Sequence, residues 1–110
     1  MTDRYTINYS PNALDDLREI YTYIANELHV PETAAVQVNR IRKAVRSLDF
    51  MPARHTFVEW EPWHLMKMHL LPVDNFIVYY LIDNDKMTVS VVRIFYGGRD
   101  IEGIVNTHRP

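Results

Sequence analysis

Residues 76–98 read FIVYYLIDNDKMTVSVVRIFYGG, two β-rich runs separated by a short polar turn. The first run, residues 76–82, is almost wholly apolar, as expected of a strand covered on both faces. Asp83-Asn84-Asp85 supplies the turn, and residues 87–96 form a last long strand closed by Gly97-Gly98. Within that strand Arg93 is expected to lay its stem along the core with its head paired or wet. Just upstream, Met66, Met68 and Leu70 alternate with Lys67 and His69 until Pro72 stops the run. A period of two puts the methionines and Leu70 on one face and Lys67 with His69 on the other. Residues 99–105 extend the pattern as a short C-terminal helix.

The N-terminal half has a different period. Tyr5-Thr6-Ile7-Asn8-Tyr9 alternates as a short strand, and Ser10-Pro11 reads as an N-cap followed by a first-turn proline. Leu14, Leu17, Tyr21, Ile24 and Leu28 make one helical stripe, and Asp15, Asp16 and Glu19 suit the positive end of the helix dipole. A second helix opens at Pro31 with Ala34, Val38, Ile41, Val45 and Leu48 on its apolar side. The short connection around His29-Val30-Pro31 makes the two helices antiparallel neighbours, with Tyr21 and Ile24 facing Val38 and Ile41. The expected fold is α+β: a small antiparallel sheet packed against an N-terminal two-helix hairpin, in the order β-αα-βββ with a short C-terminal helix.

Length and composition set the outer limits. A chain of 110 residues with 47% hydrophobic content and thirteen Phe, Trp and Tyr side chains is enough for one core. One domain is expected over residues 1–110, with 1–3 and 106–110 as flexible tails. The absence of cysteine excludes disulfides, thiolate metal sites and cysteine nucleophiles. No signal-peptide pattern or long apolar span is visible, so the cytoplasm is the expected compartment and no membrane partner is expected. A formal charge of −2 gives no overall field for nucleic acid, leaving only local patches.

Several groups invite a chemical reading. Lys67 and His69 on one strand face, with Arg99 just after the glycine pair, would bind a phosphate and move a proton, the needs of RNA cleavage at a 2′-hydroxyl. The plainer reading is the solvated side of a half-exposed strand. Arg40, Arg42, Lys43 and Arg46 read first as the solvent face of the second helix. Trp60 and Trp63 read as loop aromatics folded over the core edge, with a partner platform as the alternative. The histidines at 29, 55, 64, 69 and 108 have no recognised ligand spacing, so neither metal nor cofactor is expected.

The opening YTINYSPNALDDLREIYTYIA (5–25) and the closing VDNFIVYYLIDNDKMTVSVVRIFYGGRDIEGIV (73–105) together resemble the RelE/ParE toxins of bacterial type II toxin–antitoxin modules, also known as plasmid stabilisation proteins. VVRIFYGGRDIE, residues 91–102, is the most specific piece. The resemblance implies a small toxin neutralised by a cognate antitoxin that wraps along its grooves and sheet edge. It also implies two activities: ParE-like members poison DNA gyrase, and RelE-like members cut ribosome-bound mRNA without a metal. By resemblance, Lys67, His69, Tyr96 and Arg99 fall at or near the catalytic positions of the nucleases. Ile77 and Val105 stand where those enzymes carry an arginine and a tyrosine. A transition state gaining negative charge needs preorganised cations, so the losses favour the ParE-like branch. The alternatives are a RelE-like mRNA interferase and a family member with weak or lost toxicity.

Overall fold

A computed structural model describes residues 4–97. Strand β1 (Thr6–Tyr9) leads into Ser10, whose extended backbone and side chain cap helix α1 (Pro11–Thr22) by accepting the Ala13 N–H at 3.0 Å. Pro11 holds the first helical position, where a missing N–H costs nothing. The helix runs on as a π-helical turn over Tyr23–Glu27. His29, in the left-handed region, then reverses the chain before helix α2 (Pro31–Arg46). No helix among the described residues is long and apolar enough to cross a membrane.

The stripe expected on α2 is the one it buries: Ala34, Ile41, Val45 and the following Leu48 are fully buried and Val38 partly so. On α1 the buried face is rotated from the expectation. Leu14, Tyr21 and Leu28 are exposed, and Ala13, Asp16 and Leu17 are buried, with Ile20 half-buried and Ile24 buried beyond them. Two features explain the rotation. Ala13 packs in the core where a larger side chain would hold the helix off, and the Asp16 carboxylate has partners on the sheet that draw it inward.

The sheet has four strands in the order β1-β4-β3-β2, where β2 is His69–Val73, β3 is Phe76–Asp83 and β4 is Thr88–Tyr96. β2, β3 and β4 are antiparallel, but β1 pairs parallel with β4, Ile7 opposite Val89 and Tyr9 opposite Val91, so the sheet is mixed rather than purely antiparallel. Only a tight hairpin forces antiparallel pairing, and the connection leaving β1 is the whole helical hairpin. β2 begins three residues later than the alternation implied and passes through Pro72, which an edge strand tolerates.

The core lies on both sides of this sheet. Val78 and Tyr80 from β3, Val89, Val91 and Ile94 from β4, and Leu71 from β2 meet the helices. The inward positions on β4 change parity between Val91 and Ile94 because a bulge leaves Val92 without a directly opposed residue. On the other face, Tyr79 and Phe95 pack with Val58, Trp63 and Met68 from the irregular segment between α2 and β2. The two-sided cover read from residues 76–82 is therefore present, and half of it is loop.

Candidate functional site

β4 outruns its neighbour. Its pairing with β1 stops at Val91, and Val92 to Tyr96 continue with no strand on that edge among the described residues. Ser10 and Asp16 occupy the start of this edge. The Ser10 hydroxyl donates to the Val92 carbonyl at 2.8 Å, and Asp16 accepts the Ile94 N–H at 2.9 Å. The same carboxylate takes Nε and Nη2 of Arg93 at 2.8 and 2.9 Å, a bidentate pair whose guanidinium lies 4.4 Å from the centroid of the Phe95 ring. Periodicity alone did not reveal Asp16. The available signal was Arg93, since a charge inside an apolar strand needs a partner.

Beyond Asp16 the free edge opens into a groove of about 800 Å³ between the helical hairpin and the end of the sheet. Ile20, Tyr23, Ile24, Phe76, Ile94 and Tyr96 give it apolar walls, and Asp16 and Glu19 bring carboxylates to it. The hairpin is electrically divided in a way the net charge conceals. Residues 11–32 carry five carboxylates against one arginine, and residues 33–54 carry five basic groups against one carboxylate. On the basic half Arg40 is paired with Asp74 at 3.0 Å, while Arg42 lies over the Tyr9 ring.

Lys67 and His69, both singled out for RNA cleavage, do not share a strand face. Lys67 lies in a turn before β2 with positive φ, fully outside the strand, and its side chain is exposed. That break in the alternation is why its phase does not carry into His69. His69 opens β2 and is only 5% exposed, so it is not a solvated strand residue. Its Nδ1 lies 2.9 Å from the His55 carbonyl, which accepts only, so that nitrogen carries the proton. Its ring is sandwiched between Phe57 at 4.3 Å and Tyr80 at 5.2 Å. Tyr96 is half exposed at the end of β4, edge-on to Phe76, and faces the groove. Ile77 is half-buried and packs on the loop-covered side of the sheet. A side chain at Gly97 would come within 3.3 Å of the Asn75 carbonyl and 3.4 Å of Ile77, which gives this position its glycine. Arg99, Val105 and the expected C-terminal helix lie outside the described residues. Trp60 and Trp63 stack at 4.9 Å with Trp63 buried against Tyr79, the core-edge reading of those rings.

A mixed four-stranded sheet, a helical hairpin on one face and a groove at the end of the last strand define a small α+β architecture, and solved structures share it. The chromosomal ParDE toxin–antitoxin system of P. aeruginosa matches with a TM-score of 0.70 at 19% identity, covering 86% of this chain and 98% of that one. A double mutant of the E. coli toxin RelE in its free state matches with a TM-score of 0.65 at 11% identity, covering 96% and 99%. The RelBE2 toxin–antitoxin complex of Mycobacterium tuberculosis matches with a TM-score of 0.60 at 20% identity, covering 84% and 91%. No curated protein matches the sequence significantly. Residues 7–101 match the family described as the ParE toxin of the type II toxin–antitoxin system, parDE. The chain belongs to that family.

Proposed function

We propose that this protein is a growth-inhibiting toxin of the ParE-like kind, which acts by binding a protein target, DNA gyrase, and is held inactive by a cognate antitoxin. The observation that carries the choice of binder over nuclease is the placement of His69. It is buried under Phe57 and bonded through Nδ1 to a backbone carbonyl, while Lys67 sits in an exposed turn and Ile77 puts an isoleucine among the core side chains. Metal-free RNA cleavage needs a proton-transfer group that reaches the substrate and cations preorganised around the phosphate, and this arrangement favours neither. The antitoxin reading is supported by the ParDE and RelBE2 relatives, which are toxin–antitoxin systems. The apolar groove with the free edge of β4 beside it suits an antitoxin segment added as a strand or laid in as a helix.

Expression of the chain without an antitoxin tests the proposal directly. Purified protein is expected to inhibit supercoiling by DNA gyrase and to leave translated mRNA intact, and Lys67→Gln is expected to keep full toxicity. Codon-specific cuts in ribosome-bound mRNA, lost in Lys67→Gln, would replace this reading with the mRNA interferase.

A further inference from the structure

Residues 52–58, a 3-10 turn over Pro52–Arg54 followed by an extended stretch that bridges His69 at Phe57, cross the outer side of β2, and four hydrogen bonds tie them to the sheet side. The Tyr80 hydroxyl donates to the Pro52 carbonyl at 2.6 Å, and His69 Nδ1 donates to the His55 carbonyl at 2.9 Å. Leu70 N–H donates to the Thr56 carbonyl at 3.0 Å, and Val58 N–H donates to the Met68 carbonyl at 2.7 Å. The first two come from side chains in contact with each other. His69 stacks on Tyr80 at 5.2 Å, and the His55 ring stands edge-on to the same Tyr80 at 6.4 Å. His55 Nε2 is buried with no hydrogen-bond partner among the described residues. Two imidazoles and a phenol thus share one pocket, and one of the imidazoles has a polar atom that nothing there satisfies.

We propose that His55, His69 and Tyr80 form an acid-sensitive latch, which pins residues 52–58 across the edge of β2 at neutral pH and lets them lift away in mild acid. The groups around His55 set the direction. Arg54 comes from its own segment, His69 from β2 and the Tyr80 hydroxyl from β3, and a proton arriving at the buried Nε2 meets positive or neutral groups. Burial first, then Arg54, then His69 hold the His55 pKa below its ordinary 6.5. Lifted away, the ring regains that ordinary value and binds a proton that the packed ring resists. The packed state therefore keeps its full strength above about pH 6.5 and loses it as the pH falls below. Tyr80 does not share this dependence, because burial pushes its pKa up and keeps the hydroxyl protonated. The consequence reaches beyond the segment. Met68 and Leu70 would lose their backbone partners, and an open strand edge is a surface to which another chain can add.

Amide hydrogen exchange on the full-length chain, corrected for intrinsic rates, reads the latch through the Val58 and Leu70 amides, with Val78 and Val91 as internal references. Between about pH 7.5 and about pH 5.5, protection at Val58 and Leu70 is expected to fall about threefold or more while the references hold. In His55→Leu, which removes both the titration and the unsatisfied nitrogen, the two pH values are expected to give equal protection. Unchanged protection in the natural protein, or a loss that persists in His55→Leu, would overturn the proposal. If that variant does not fold, an NMR titration of the His55 Cε1 proton in the natural chain takes its place. Its midpoint must coincide with the loss of Val58 and Leu70 protection, and separate midpoints overturn the latch equally. None of these outcomes depends on which cellular target the toxin takes.

Discussion

The two faces of the sheet are closed by different means. On one, Ala13, Leu17, Ile41, Val45 and Leu48 arrive from regular helices and meet strand residues in a continuous aliphatic layer closed by Tyr80. On the other, Val58, Trp63 and Met68 arrive from an irregular segment and meet Tyr79 and Phe95, with Trp60 stacked on Trp63. A helix satisfies its own backbone groups and needs only an apolar stripe to dock. The loop cover has to find its hydrogen bonds one at a time. His64 Nδ1 donates to the Val58 carbonyl at 2.8 Å, and Leu65 N–H donates to Glu61 at 3.0 Å. Bulky rings supply the area that few residues would otherwise give. The helix side should therefore carry global stability, and the loop side should open first.

The largest expected effect lies on the loop side. Trp63→Ala removes a buried indole that touches both Trp60 and Tyr79, and is expected to cost about 4 kcal/mol. Because the cover is irregular, much of that loss should appear as local opening, with hydrogen exchange rising over residues 56–68 before the helices respond. Simultaneous loss of protection in α2 would show that the two faces unfold as one unit. Next comes Ile41→Ala at the centre of the helical cover, with a cost of about 3 kcal/mol. This one should appear in the denaturant midpoint with an unchanged slope, since only the global transition exposes Ile41. A change below about 0.5 kcal/mol would place Ile41 on the surface.

What the sequence revealed follows the same division. The α2 stripe and the apolar strand run of 76–82 were legible because both rest on spacing, and spacing survives into structure. The α1 face was not. Its inner side is marked by a small residue, Ala13, and an acid, Asp16, and a search for bulky apolar positions passes over both in favour of Leu14 and Tyr21, which are exposed. The site suffered for a related reason. One left-handed residue, Lys67, breaks the alternation, so His69 turns inward where phase counting put it beside Lys67. The loop cover was legible only as a tendency of Trp60 and Trp63 to fold over the core, because its contacts follow no period.

Asp16 tests the helix side by charge rather than volume. Asp16→Asn keeps the shape of the side chain but weakens its acceptance of the Arg93 guanidinium and the Ile94 N–H, at an expected cost of about 2 kcal/mol. The paired Asp16→Asn and Arg93→Met change should recover part of that loss, because it no longer leaves a half-buried guanidinium without its partner. A double variant as unstable as the sum of the two single ones would mean that the residues act independently.

The smallest effect comes from a side chain that serves both covers. Tyr80 lies fully buried in the helix-side layer, yet its hydroxyl reaches the Pro52 carbonyl at the start of the irregular segment. Tyr80→Phe leaves the packing in place and removes one neutral hydrogen bond, so the expected cost is about 1 kcal/mol in urea unfolding. Its pH behaviour carries the information. Because burial keeps the phenol protonated, the difference between the natural chain and Tyr80→Phe should stay constant from about pH 5.5 to about pH 8. A constant difference would mark Tyr80 as a fixed pin beside His55. A cost that grows as the pH falls would show that the hydroxyl and the imidazoles hold the segment only together, and the loop cover would then be one cooperative contact rather than a set of separate ones.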